Sequence, residues 1–357
     1  MVGAQFDDEY ESNAGAVYTL FLDDLEQHIR ITKPLFACLT PYGDVWGAQN
    51  QGAPPVKNQY RMDWLGYRFF PEDGELPLVG DVNGDGKKDL IQITRWGDAW
   101  AAIRDYETFA GPVRWGWLGF FYVESEDGFG NYPMCGDVDG DGDDDLILVT
   151  QYTDVWTSLS GGEAFETPHR SGWLGFYYFR GNQTSPGGLP IVGDFNGDGK
   201  CDLAQATIYG DVWVSLSGGN SFGVTERWGW LDFYFQPLRE KTIICGDFNG
   251  DGVDDLGMVD NGDFRVSISD GASFGAPRLW NPRPECGEIR YCEDQGFYPV
   301  TADVNMDGKM DVIQYESRKD VIVHYSLGDQ LDAPENWGNP NYSFSRDEGL
   351  LPFYLGY

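Results

Sequence analysis

Five copies of one acidic loop, spaced at a nearly constant interval, constrain this chain more than any other feature. They read GDVNGDGKKDL from Gly80, GDVDGDGDDDL from Gly136, GDFNGDGKCDL from Gly193, GDFNGDGVDDL from Gly246 and ADVNMDGKMDV from Ala302. Their first aspartates, Asp81, Asp137, Asp194, Asp247 and Asp303, stand 56, 57, 53 and 56 residues apart. Such a period means stacked or radial copies of one supersecondary unit, and every local assignment has to respect it.

Other landmarks keep the same period. An apolar, β-rich run follows each loop, then a turn and a second β run: YGDVWGAQ at Tyr42, WGDAWAAI at Trp96, YTDVWTSL at Tyr152, YGDVWVSL at Tyr209, NGDFRVSI at Asn261 and RKDVIVHY at Arg318. A Gly-Asp turn between such runs signals a hairpin. An aromatic segment closes the unit: RMDWLGY at Arg61, RWGWLGF at Arg114, RSGWLGF at Arg170 and RWGWLDF at Arg227, degraded near Trp280 and Asn336. Four strands in about 55 residues is the size of one propeller blade.

The expected fold is therefore all-β, one domain over residues 1–357: a six-bladed β-propeller of four-stranded blades, with residues 1–15 disordered. The repeat units fall at about 31–70, 77–126, 133–180, 190–236, 243–295 and 298–345. The first unit lacks its opening strand and acidic loop. The tail RDEGLLPFYLGY resembles PEDGELPLVGDV before the first loop, so residues 350–357 are expected to supply that strand and close the ring without an open sheet edge. The rival donor is AVYTLFL at 16–22, in which case the tail could start a seventh, partial blade.

Composition agrees with many short strands: 48 glycines and 15% aromatic residues. A formal charge of −34 argues against nucleic acid and against an anionic membrane surface as partner. No apolar run approaches the roughly 20 residues of a membrane span, so no membrane insertion is expected. The acidic start MVGAQFDDEYESNAG does not read as a signal peptide; either one was removed or none existed. Six cysteines in 357 residues are not a disulfide framework. Cys286 and Cys292, in ECGEIRYCE, are close enough for a local bridge, while Cys38, Cys135, Cys201 and Cys245 read as buried thiols.

The acidic loop places side-chain oxygens at positions 1, 3, 5 and 9, with a glycine at position 6 that permits a φ > 0 turn. Hard oxygen donors in this number suit Ca²⁺. The expected ligands are Asp81, Asn83, Asp85 and Asp89; Asp137, Asp139, Asp141 and Asp145; Asp194, Asn196, Asp198 and Asp202; Asp247, Asn249, Asp251 and Asp255; Asp303, Asn305, Asp307 and Asp311. An EF-hand would need a glutamate at position 12, where this chain has Gln92, Leu148, Gln205, Met258 and Gln314. Met306 takes the position-4 glycine's place in the fifth loop, which marks that site as weaker or strained. Five calcium ions would move the net charge from −34 to −24, and if they fill only at the roughly 10⁻⁴ to 10⁻³ M calcium that extracellular modules use, they act as staples of a secreted or cell-surface protein, which is the expected location.

GDFNGDGKCDL followed by YGDVWVSLSGGNSFG resembles the FG-GAP or VCBS repeat of integrin-α-like β-propellers, over about residues 35–345. The resemblance implies calcium in hairpins on one face of the ring. It also implies a role as adhesion module, glycan-binding lectin, or part of a polysaccharide lyase or hydrolase. The chain departs in lacking a sixth loop and in its strong WLGF segment.

In a repeat protein, equivalent residues hold the ring together and exceptions are candidates for function. Trp64, Trp117, Trp173 and Trp230 recur in register, which suits packing between blades; exposed members could stack on sugar rings. The segment NPRPECGEIRYCEDQG (281–296) breaks the pattern and brings Arg283 and Arg290, which suit a carboxylate-bearing sugar or an acidic partner. His28, His169 and His324 fall at non-equivalent positions and read as structural. The leading expectation is a calcium-stabilised recognition module for glycans or extracellular protein surfaces, with no catalytic residue assigned. A polysaccharide-degrading enzyme and a structural subunit of an extracellular assembly are the alternatives.

Overall fold

The computed structural model describes residues 18–19, 35–39, 44–49, 57–64, 76–105, 108–119, 131–150, 152–175, 188–207, 209–232, 241–260, 262–281, 289, 297–316, 320–338 and 351–356. Among them there are strands, turns and bends and no helix. Each acidic loop joins the first two strands of an antiparallel sheet, a hairpin joins the second to the third, and the aromatic segment forms the fourth. The fourth sheet is representative: Gly188–Gly193, Asp202–Thr207, Asp211–Ser215 and Glu226–Trp230, hydrogen-bonded in that order. The second, third, fifth and sixth sheets start at Leu76, Tyr132, Lys241 and Phe297 and repeat this four-stranded topology.

Among the described residues four-stranded blades number five, not the expected six or seven. The sheet of the first repeat has five strands, because both expected donors join it. Leu351–Gly356 pairs antiparallel with Leu35–Leu39, and Tyr18–Thr19 pairs parallel with the far side of Leu351–Gly356. The tail therefore does not start a further blade.

The core lies between sheets rather than within one. Leu76, Leu78, Ile91 and Trp115 of the second sheet pack in one cluster with Leu146, Leu148 and Phe165 of the third. Equivalent clusters join the third to the fourth, the fourth to the fifth and the fifth to the sixth. Backbone bonds cross the same boundaries: the amides of Phe165, Phe222, Phe274 and Leu331 donate to the carbonyls of Trp115, Ser171, Trp228 and Trp280 in the preceding sheet. Gly229 is needed at one such crossing, since a Cβ there would lie 2.9 Å from Phe274 Cβ. First strands pack side by side in chain order, from Leu76–Gly80 to Phe297–Ala302.

Candidate functional site: acidic loops and an exposed aromatic face

In the acidic loops the backbone wraps around its own side chains. In the loop from Asp247, Oδ1 of that residue accepts from the amides of Gly250 at 2.6 Å and Asp251 at 3.1 Å, and Oδ2 accepts from Gly252 at 2.7 Å. Asn249 Oδ1 accepts from the Asp251 amide, and Asp251 Oδ1 from the Val253 amide. These are the local turns that Asp and Asn side chains favour, and the loop from Asp194 repeats them.

The position-9 aspartates, Asp89, Asp145, Asp202, Asp255 and Asp311, are fully buried. Each accepts the position-2 amide on Oδ2, from Val82, Val138, Phe195, Phe248 and Val304 respectively. Burial, reinforced by neighbouring loop carboxylates, pushes Asp89, Asp145 and Asp202 up to about 7, and Asp255 and Asp311 up to about 8. Among the described residues none of the five forms an ion pair, so burial of each is uncompensated by a basic side chain. Asp137, Asp139 and Asp145 bring carboxylate oxygens within 4.8 Å of one another, a hard-oxygen cluster fit for one metal ion. Asp141 is not part of that triad. In the other four loops position 3 is Asn83, Asn196, Asn249 or Asn305, so an amide oxygen replaces one carboxylate. Position 7 differs as well: Lys87, Lys200 and Lys309 pair with Asp85, Asp198 and Asp307, at 3.1, 3.5 and 2.9 Å.

Neighbouring loops touch. The position-7 side chain of one loop lies over the position-4 glycine of the loop before. A Cβ on Gly84, Gly140, Gly197 or Gly250, all at positive φ, would meet Asp143, Lys200, Val253 or Lys309 within 3.2 Å. Met306, at φ 59°, holds that place in the last loop, after which the sequence has no further loop to crowd it.

The aromatic strands settle a second question. Packing between sheets falls to the first aromatic of the motif, Trp115 and Trp228, which are 6% and 7% exposed. Trp117, Trp173 and Trp230 are 45%, 41% and 50% exposed, which corrects the expectation that they pack between blades. The cause is an irregularity between Arg114 and Gly116, repeated at the same place in the third and fourth sheets, that breaks the two-residue alternation. Arginine and the second tryptophan of the motif thus come out on the exposed side together.

Three residues that the sequence reading had not singled out complete this face. Trp96, Tyr152 and Tyr209, at the hairpin turns, are exposed. The indoles of Trp117 and Trp230 donate to the carbonyls of Trp96 and Tyr209, at 3.0 and 2.9 Å. Beside each pair, Arg114, Arg170 and Arg227 bind Asp98, Asp154 and Asp211 at 2.7, 2.5 and 2.7 Å. In the second sheet Arg95 also lies over Trp96, 5.1 Å from the ring centroid. The first sheet pairs Asp44 with Trp64 and Trp46 with Arg61 in the same register, although the Trp64 side chain lies outside the described residues. The signal was the recurrence of Tyr/Trp-x-Asp and Arg-x-x-Trp at matched spacing.

Arg283, Arg290, Cys286 and Cys292 lie outside the described residues, as does His28. His169 and His324 belong to different sheets. Cys135 and Cys245 are buried and Cys201 partly so, all three as free thiols.

Residues 194–258 match the FG-GAP-like repeat family. No curated protein matches the sequence. Among solved structures, the chain is similar to an Agrocybe aegerita lectin described in its specific recognition of non-reducing terminal N-acetylglucosamine. The TM-score is 0.61 at 17% identity, over 91% of this chain and 86% of that one. AofleA from Arthrobotrys oligospora aligns over 97% of this chain and 94% of its own, at 10% identity and a TM-score of 0.44. At 17% identity the likeness to the Agrocybe aegerita lectin concerns the fold alone.

Proposed function

We propose that this FG-GAP-repeat β-propeller is a secreted or cell-surface lectin-like module, stapled by calcium, that binds glycans through its exposed aromatic units. The observation that carries the reading is the threefold recurrence of an exposed indole, a second exposed aromatic and an ion-paired arginine in the second, third and fourth sheets. Aromatic faces stack on the apolar side of a sugar ring, and the guanidinium donates to its hydroxyl or carbonyl oxygens. Each arginine is neutralised by its aspartate within a chain of charge −34, which favours uncharged sugars over acidic ones. The fold-level likeness to a lectin that recognises terminal N-acetylglucosamine makes that sugar the first ligand to test.

Calcium would be held by positions 1, 3, 5 and 9 of the five loops, each ion supplying the charge that the buried position-9 carboxylate lacks. In this reading the five-stranded first sheet closes the ring of four-stranded blades. Supporting it, Leu351–Gly356 packs beside the first strand of the sixth sheet, and Tyr18–Thr19 beside the first strand of the second.

A glycan array with and without chelator tests the proposal. Binding to glycans ending in N-acetylglucosamine or another neutral sugar is expected, lost in a Trp117→Ala, Trp173→Ala, Trp230→Ala triple variant. Binding to none would refute the lectin reading, and release of reducing ends from a polysaccharide panel would favour an enzyme instead.

A further inference from the structure

The buried polar atoms behind the acidic loops form one continuous hydrogen-bonded chain. Start at Asp202, the position-9 residue of the third loop. Its Oδ1 accepts the Ser217 amide at 2.7 Å, and the Ser217 hydroxyl donates to the Val138 carbonyl in the preceding loop at 2.7 Å. Val138 lies between the ligand positions Asp137 and Asp139, and its own amide donates to Asp145 Oδ2 at 2.9 Å. Asp145 Oδ1 accepts the Ser160 amide, and the Ser160 hydroxyl donates to the Val82 carbonyl of the first loop. In the other direction Ser269 links Asp255 to Phe195, and Ser326 links Asp311 to Phe248. Four serines thus join five loops, and every link is buried.

A second strut spans each junction. The position-8 amides of Asp144, Cys201, Asp254 and Met310 donate to the position-1 carbonyls of Asp81, Asp137, Asp194 and Asp247 in the loop before. The ends of the series show what the serines do. In the second sheet the place of the serine is taken by Arg104, whose amide still binds Asp89 Oδ1 at 2.7 Å. A serine hydroxyl is missing where no acidic loop precedes, while the amide that serves the sheet's own aspartate is kept. The donated bond of the hydroxyl therefore serves the neighbouring loop, while its oxygen accepts the amide two residues on in its own blade, from Gly162, Gly219, Gly271 or Gly328.

We infer that Ser160, Ser217, Ser269 and Ser326 are positioning residues that couple the five loops, so that calcium entering one raises the affinity of the next. This rests on the calcium reading above. Fixing a position-9 carboxylate on an ion fixes its serine, and the serine holds the carbonyl between two ligands of the preceding loop. Part of the ordering cost of the second site is then already met by the first.

Calcium titration calorimetry on the full, chelator-stripped chain tests the inference, with melting temperature as an independent readout. The wild type is expected to bind with a Hill coefficient well above 1, successive sites tightening on the order of tenfold. Ser217→Ala, which leaves every ligand in place, should split the binding into separate steps and bring the coefficient toward 1. Ser217→Thr, which keeps the hydroxyl, should restore it. If Ser217→Ala does not fold, Ser326→Ala at the last junction serves the same purpose. Independent binding by the wild type, or undiminished cooperativity in the alanine variants, would overturn the coupling while leaving calcium binding intact. Absence of both binding heat and a calcium-dependent melting shift would instead overturn the calcium reading itself.

Discussion

Two tryptophans of the fourth sheet, Trp228 and Trp230, stand two residues apart and meet opposite surroundings. Trp228 is buried against Phe274, with ring centroids 5.8 Å apart, while Trp230 is half exposed. Trp228→Ala should therefore cost about 3–5 kcal/mol of stability by denaturant unfolding. Trp230→Ala should cost under about 1 kcal/mol and weaken glycan binding instead. Equal destabilisation by both would refute the assignment. Met306 offers a test of opposite sign: a side chain at φ 59° carries left-handed strain. Met306→Gly is expected to raise stability by about 1 kcal/mol in the same assay. The tryptophans were legible in the sequence as a repeating motif, but not which of them faced inward. Strict alternation puts residues two apart on one face, and only the irregularity in the strand pairing separates them.

At the level of the loop, a row of buried carboxylates makes a signed prediction. The position-9 groups have their ordinary value near 3.8 raised to about 7 or 8, chiefly by burial. In the folded, metal-free chain their ionised form is disfavoured. The penalty is absent below an ordinary carboxylate's range and grows as pH rises through about 7 to 8. Chelator-treated protein is therefore expected to melt at a lower temperature at pH 8 than at pH 5, with calcium raising the melting point more at pH 8. A metal-free melting temperature that is flat or rises over this interval would contradict it. The loop itself was readable from residue types alone, because Asp, Asn and Gly at fixed offsets dictate its turns. Its contacts with the next loop were not, since the partners lie more than 50 residues away.

Across the whole molecule, the tail and the first repeat depend on each other. Removing residues 351–357 would strip a strand from beside Leu35–Leu39 and expose its edge. The truncated chain is expected to melt at a lower temperature and to self-associate in sedimentation; an unchanged monomer with wild-type melting would exclude a closing role for this strand. The amino-acid sequence by itself determined the repeat, the all-β class, the four strands per unit and the acidic loops, because each is written in local spacing and composition. It also named both strands that join the first sheet. Tertiary structure decided that the two are used together and which aromatic of each motif reaches solvent. It also joined the serines of one blade to the loop of another. Those outcomes depend on strand register and on contacts between blades, and the physical reason is that a side chain's environment there is set by a neighbouring unit that local pattern does not encode.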